Sequence, residues 1–168
     1  HATTMADFVD HYRADGAQFD YVLEERWVRD AGYLQIVPRT IARALERAGI
    51  KAAQVRHFIA QGPRRFALDA AKATGIPVDA VVDDLHANCG DTGTAHPLLL
   101  LAGALERAAA GDVVLVAGFG QGCDAIVLGA TGRGAGTQGG HGVAAALSRG
   151  VADGEYVRFL SNCGLVEM

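Results

Sequence analysis

The feature that most constrains the fold of this chain is its short apolar segments, which alternate with helical ones. Residues 113–117 and 125–128 are apolar at every position, and residues 55–59 contain the pair Phe58-Ile59. A strand with no polar side must be covered on both faces, as in sheets that carry helices on either side. The alternation of strands and helices therefore predicts a layered α/β fold.

Glycine and proline mark the ends of three predicted helices. Apolar residues recur at helical spacing over 33–48, with Pro38 near the start and Gly49 at the end. A second helix spans 64–74 and stops at Gly75. A third runs from about Pro97 to 110, and its four consecutive leucines predict burial on most sides. Residues 80–82 and 156–160 are predicted as short strands, and 143–147 as a helical turn.

Composition divides the chain into three parts. Residues 1–30 are polar and aromatic, which predicts a loop with one or two short helices, an N-terminal extension. Residues 31–130 carry the strands and long helices, and 131–168 form a glycine-rich linker with a small closing segment. Because the sequence starts at His1 and stops at Met168 after an apolar segment, both ends look cut, and we expect a fragment of a longer protein.

Charge and cysteine content exclude several classes of protein. The chain has 15 Lys+Arg against 19 Asp+Glu, a net charge of −4, and no basic stripe, so a nucleic-acid partner is not expected. It has no apolar run long enough to span a membrane. Three cysteines, an odd number without framework spacing, favour reduced thiols and a cytoplasmic location.

Three segments, taken in order, resemble the C-terminal half of ketoacyl synthase III-type enzymes and the related hydroxymethylglutaryl-CoA synthases, both in the thiolase superfamily. The first is the strand, turn and helix of residues 55–75. The second is Cys89-Gly90-Asp91-Thr92-Gly93-Thr94-Ala95, and the third is residues 111–122 with their glycine-rich turn. The sequence from Phe19 to Trp27 further resembles the hydroxymethylglutaryl-CoA synthase branch.

The resemblance implies a thiolase-like half-fold with a five-stranded mixed sheet covered by helices. It implies an acyltransferase that forms or cleaves carbon–carbon bonds in acyl thioesters. The thioester, on coenzyme A or an acyl carrier, is the substrate, and no cofactor is expected. The nucleophilic Cys belongs to the other, N-terminal half, so that half is the first expected partner. A homodimer or a thiolase-like hetero-complex is the second.

Two departures from the family pattern touch its chemistry. The register places Ala60 at the family's catalytic His and Asp91 at its Asn. Alanine cannot transfer a proton, and an ionised Asp only accepts hydrogen bonds. His57 lies three positions earlier on the strand and points to the opposite face. Two hypotheses follow: the C-terminal domain of an active acyltransferase, or a non-catalytic, degenerate subunit that scaffolds an active partner. In either case the isolated chain is predicted to be inactive.

Candidate site residues each carry two interpretations. Asp91 is either a functional replacement or the cap of the helix that begins near Thr94. Gly120, in the turn from Gly118 to Gly122, contributes to an oxyanion hole or only to a tight strand connection. Arg64 and Arg65 either meet a CoA phosphate or lie on a solvated face.

Two further motifs are given their simpler interpretation. The spacing of His86, Cys89 and His96 matches no closed structural zinc site and would need Asp83 or Asp84 as a fourth ligand, so no metal is expected. The stretch from Gly134 to Gly139 has the letters of a dinucleotide fingerprint, but no full βαβ unit follows, which favours a linker.

Overall fold

The computed structural model describes residues 1–22, 24–133 and 141–166. Six strands lie in these ranges: β1 (Ala2–Met5), β2 (His11–Tyr12), β3 (Tyr21–Val22), β4 (Val55–Ala60), β5 (Val113–Gly120) and β6 (Gly122–Gly129). The α-helices are α1 (Glu25–Trp27), α2 (Leu34–Ala48), α3 (Arg64–Thr74), α4 (His86–Cys89), α5 (His96–Leu105), α6 (Val143–Ser148) and α7 (Tyr156–Asn162). A π-helical turn, Val28–Tyr33, joins α1 to α2, and short 3₁₀ turns cover Ala52–Gln54, Val78–Ala80 and Gly93–Ala95.

The main sheet is mixed and has the strand order β1-β6-β5-β4. β4 and β5 are parallel, whereas β5–β6 and β6–β1 are antiparallel. The three strands predicted at 55–59, 113–117 and 125–128 are all present. The first thirty residues were predicted as loop and short helices, which is wrong at β1. Four residues carry too little periodicity to reveal a strand, and the partner that orders β1 lies about 120 positions away, at Ala125.

The predicted fifth strand is reduced to a single bridge. Within the described residues the sheet has four strands, and Val81 makes an isolated parallel bridge to Phe58. The Val82 N–H donates to the Phe58 carbonyl, and the chain then turns away. The Asp83 and Asp84 carboxylates accept the backbone N–H groups of Leu85 and His86. These local side-chain bonds hold the turn and end the pairing.

Helices cover the two faces of the sheet to different extents. α2 and α3 pack on one face in a large core that includes Val37, Ile41, Phe58 and Leu115. On the other face α5 covers β4 and β5, where Ile59, Val114, Val116, Leu100 and Ala104 form a second core. Ile126 and Met5 belong to the α5 side of β6 and β1 but are 43% and 90% exposed. We call this uncovered half of the α5 side the open face.

Three element predictions at the surface meet different outcomes. The helix at 143–147 is confirmed as α6. The strand at 156–160 is wrong, since α7 (Tyr156–Asn162) is helical; five residues are too few to separate the two periodicities. α5 is not buried on most sides, because Leu100 is buried but Leu98 is 65% exposed. Only one side of α5 meets the sheet. Among the described residues, no helix combines the length and apolarity needed to cross a membrane.

Candidate functional site

A cavity of about 740 Å³ opens where β4 and β5 end. Because the two strands are parallel, their carboxyl ends meet at one edge, where ligands bind in open α/β sheets. Gln61 follows β4 and Phe119 lies near the end of β5, and both line the cavity. Asp91, Gly93 and Thr94 also line the cavity, as do residues of the N-terminal segment that include His11 and Glu25.

The positions singled out by the family register lie at this edge of the sheet. Ala60 is the last residue of β4, is 5% exposed and pairs with Ala117 of β5. Gly120 is the last residue of β5. Asp91 lines the cavity together with Gln61, the neighbour of Ala60. The methyl group of Ala60 offers nothing for proton transfer, so polar chemistry in the cavity must come from residues around it.

Asp91 makes a local bond to the backbone. One of its carboxylate oxygens accepts the Gly93 N–H at 2.8 Å, at the start of the 3₁₀ turn that leads into α5. This is the Asx-turn geometry by which Asp stabilises a turn. The bond engages one oxygen of the carboxylate, and the residue remains exposed at the cavity.

The glycine-rich turn is a tight hairpin between β5 and β6. Gly120 pairs with Gly122, and Gln121 alone connects the two strands. Gly122 has φ +121°, and a Cβ there would collide with the Thr4 carbonyl of β1. A second cavity of about 340 Å³ lies beside this hairpin and is lined by Gly118, Gly120, Gln61 and other residues. The hairpin connection explains why residue 122 is glycine. The contribution of Gly120 to an oxyanion hole stays a prediction.

The three cysteines differ in environment. Cys123 is buried on β6, and burial raises the pKa of its thiol to about 11, against a smaller lowering by the Thr40 hydroxyl. A thiol with so high a pKa is a poor nucleophile at neutral pH. Cys89 and Cys163 are exposed. The Cys89 thiol donates to the Leu85 carbonyl at 3.5 Å.

Both arginines at the start of α3 already have protein partners. The Arg64 guanidinium donates to the Val82 carbonyl at 3.1 Å, and its backbone N–H donates to Asp84. Arg65 forms an ion pair with Glu25, a residue of the cavity wall. Both stand close to the cavity, whose lining includes Pro63 and Phe66 from the same segment.

Two features of the site were not found from sequence. His11, on β2, reaches the cavity from a segment interpreted as an extension, and no local pattern signals this long-range placement. His86, Asp91 and His96 come together, with one ligand atom from each lying within 4.8 Å of the others. Sequence spacing suggests a different group, in which the two histidines stand with Cys89. The stretch 134–139, with the letters of a dinucleotide fingerprint, lies outside the described residues.

Comparisons with known proteins agree with this architecture. Residues 45–130 match the family model of the 3-oxoacyl-[acyl-carrier-protein] synthase III C terminal. Among solved structures, the chain is similar to 3-oxoacyl-(acyl carrier protein) synthase III from Pseudomonas aeruginosa PAO1, with 23% identity, a TM-score of 0.61, and coverage of 76% of this chain and 43% of that one.

A second solved structure, the β-ketoacyl-[acyl carrier protein] synthase III from Thermus thermophilus, is 26% identical with a TM-score of 0.61, covering 76% of this chain and 45% of that one. The chain thus spans less than half the length of either enzyme. The family match extends over half of the sequence and includes the ends of β4 and β5 and the Asp91 loop, which form part of the cavity wall. The chain therefore belongs to the 3-oxoacyl-[acyl-carrier-protein] synthase III C-terminal family and has a thiolase-like α/β fold.

Proposed function

We propose that this chain is the C-terminal half of a ketoacyl synthase III-like acyltransferase, of the hydroxymethylglutaryl-CoA synthase-like branch, that acts on acyl thioesters. The observation that carries the proposal is the cavity of about 740 Å³ at the carboxyl ends of β4 and β5, in a chain of this family. The nucleophilic Cys comes from an N-terminal half outside this sequence. The buried, high-pKa thiol of Cys123 supports that assignment.

In this proposal the chain shapes the acyl pocket. Phe119, Phe66 and Val28 give the cavity an apolar wall suited to an acyl chain, while Gln61 supplies an amide donor. A Cys thiolate attacks the thioester carbonyl, the carbonyl carbon bonds to sulfur, and the carrier leaves as a thiol once it takes up a proton. An ionised Asp91 would not stabilise the oxyanion, so that task falls to N–H donors.

The alternative is a non-catalytic, thiolase-like subunit that scaffolds an active partner. Ala60 and Asp91 favour it, since the pair replaces a base and a hydrogen-bond donor with a methyl group and a carboxylate. Under either proposal the first partner is the second half of the fold. We propose that this partner covers the open face, on which Met5 and Ile126 are exposed. Cytoplasmic location belongs to the same proposal, in keeping with exposed thiols at Cys89 and Cys163.

Acylation monitored by intact-protein mass spectrometry tests the proposal. We expect the isolated chain to gain no acyl group from acetyl-CoA, and the protein containing both halves to be acylated on a Cys outside these residues. Acylation of Cys89 or Cys163, lost in Cys89→Ser or Cys163→Ser, would overturn the placement of the nucleophile. If the two-half protein forms a stable complex but takes no acyl group from a panel of CoA and carrier thioesters, the scaffolding function replaces the enzymatic one.

A further inference from the structure

We infer that His86, Asp91 and His96 form a binding site for one divalent transition-metal ion, such as Zn²⁺. Two imidazoles and a carboxylate, with ligand atoms within 4.8 Å of one another, are brought together from α4, the following loop and the start of α5. Two His and one carboxylate are a common set of protein ligands for Zn²⁺ or Fe²⁺ with coordination positions left open. The inference does not depend on the proposed acyl-thioester function.

The hydrogen bonds of His96 fix which nitrogen is available. Its Nε2 lies 2.8 Å from the Asp84 carbonyl oxygen, which accepts a hydrogen bond, so Nε2 carries the proton of the neutral ring. Nδ1 is then the unprotonated nitrogen, and its neighbours are the Thr92 N–H at 3.3 Å and hydroxyl at 3.1 Å. A metal ion would replace these long bonds. Orientation of a ligating His by a carbonyl on its other nitrogen is the usual arrangement around bound metals.

The nitrogen of His86 that remains available is Nε2. The Nδ1 atom lies 3.5 Å from the Asp84 carboxylate, a contact rather than a hydrogen bond, so Asp84 contacts His86 through its side chain and holds His96 through its carbonyl. The Nε2 atom of His86 is buried and has no hydrogen-bond partner among the described residues. A buried nitrogen without a hydrogen-bond partner is unfavourable, and a metal ion at this point would satisfy it.

The local backbone explains how the three ligands could close around an ion. Nitrogen and oxygen ligands at about 2.0–2.1 Å from Zn²⁺ in a tetrahedron lie about 3.4 Å apart, so the present limit of 4.8 Å requires a modest contraction. Asp91 can supply it, because it is exposed and lies on a loop between Gly90 and Gly93, both at positive φ. His96 is buried at 1% exposure and stays fixed.

The position of the site gives the ion access to the cavity. Asp91 lines the cavity of about 740 Å³, whereas His86 and His96 are not among the residues that line it. Three protein ligands leave a coordination position for water or for an oxygen atom of a bound molecule. Sequence spacing could not reveal this set, because it pairs the histidines with Cys89, whose thiol is not a member of the cluster.

Metal titration of the chelator-treated chain tests the inference, with Co²⁺ as the spectroscopic probe and Zn²⁺ as the competitor. We expect one equivalent of Co²⁺ to bind, with visible bands of nitrogen and oxygen ligation and no thiolate charge-transfer band, and Zn²⁺ to displace it. Asp91→Asn keeps an acceptor for the Gly93 N–H but loses the charge. That variant and His86→Gln should each weaken binding by at least about tenfold.

Two matched controls separate this site from other binding. His11→Gln removes a histidine of the same cavity outside the cluster, and Cys89→Ser removes the neighbouring thiol; both should bind as the unmodified chain does. Circular dichroism of the metal-free variants verifies folding. The inference would be overturned if no saturable binding were seen, if Asp91→Asn and His86→Gln bound as tightly as the unmodified chain, or if Cys89→Ser lost binding. Iron(II) binding tighter than Zn²⁺, with the same variant effects, would keep the site and reassign the metal.

Discussion

At the scale of single residues, position 122 shows how strictly the glycine-rich turn is determined. Gly122 combines φ +121° with the close approach of the Thr4 carbonyl from β1, whereas Gly120 has open space around its Cα and an ordinary φ. Both glycines belong to the same family motif, and sequence alone gives them equal weight. In the structure, the backbone requires glycine at position 122 but not at position 120.

Gly122→Ala should therefore destabilise the fold, by about 1–3 kcal/mol from backbone strain alone and by more if β1 is displaced. Gly120→Ala is the matched control and should change the free energy of unfolding little. Urea denaturation of the two variants checks this. Equal stability of both variants would contradict the hairpin geometry.

The buried thiol of Cys123 gives a prediction about alkaline pH. Burial raises its pKa from 9.0 to about 11 in the folded chain. The folded state holds the proton more tightly, so this stabilisation is complete below pH 9 and is lost as pH rises from 9 to 11, where the unfolded chain ionises first. At pH 10 the loss amounts to about 1.4 kcal/mol.

Urea midpoints between pH 8 and pH 10 measure the effect. The decline should be shallower in Cys123→Ala than in the unmodified chain, and Cys163→Ser, at an exposed thiol, should decline as the unmodified chain does. Burial also raises the pKa of Tyr33, so a smaller decline remains in the variant at the upper end of the range. Parallel curves for all three proteins would refute the assignment.

At the scale of elements, the connection between α5 and β5 depends on Asp112. Its carboxylate accepts the Ala109 N–H at 2.9 Å and lies 3.1 Å from Nε2 of His57 on β4. The turn after α5 is thereby joined to the neighbouring strand. The Ala109 N–H, together with His57, lowers the pKa of Asp112 below its usual value of 3.8. His57 thus has a structural partner at the edge of the sheet opposite to the cavity.

Because the pKa of Asp112 is lowered in the folded chain, its contribution to stability decreases in acid. The contribution of Asp112 is present above about pH 4 and is lost as pH falls through its folded-state pKa, where protonation breaks the pair. Asp112→Asn should lower the urea midpoint at pH 6 and flatten the further fall between pH 4 and pH 3. Asp79→Asn, on an exposed turn, is the control, and an equal acid response in both variants would contradict the role of Asp112.

At the scale of the whole molecule, helices cover one face of the sheet more completely than the other, and this difference bears on assembly. The α2–α3 side is packed along its length, but the open face leaves Ile126 and Met5 in solvent, and α5 leaves Leu98 there. Exposed apolar side chains on an uncovered face of a sheet are typical of a docking site. Under the proposed function, a second half of the fold or a second copy of this chain covers it.

We therefore expect the isolated chain to associate with increasing concentration. Sedimentation velocity should show a shift towards dimer that is reduced in Ile126→Thr, which keeps a β-branched residue on the strand. Val78→Thr, at an exposed turn residue outside the sheet, should leave the shift unchanged. A chain that remains monomeric at high concentration would contradict this expectation.

Local sequence signals determined the long elements of this protein. Gly49 and Gly75 end α2 and α3 in the left-handed conformation that glycine adopts without strain, and the apolar runs at 113–117 and 125–128 form the central strands. These features depend on residues within a few positions of one another, which is the range over which periodicity and turn chemistry act.

Only the tertiary structure decided the rest. β1 becomes a strand because β6 pairs with it across the length of the chain, and the fifth strand stops at one bridge because two aspartates turn the backbone away. His86, Asp91 and His96 converge because the Asp84 loop and α5 fold against each other. Such contacts depend on which distant surfaces meet, and that information is spread over the whole chain rather than held in any one segment.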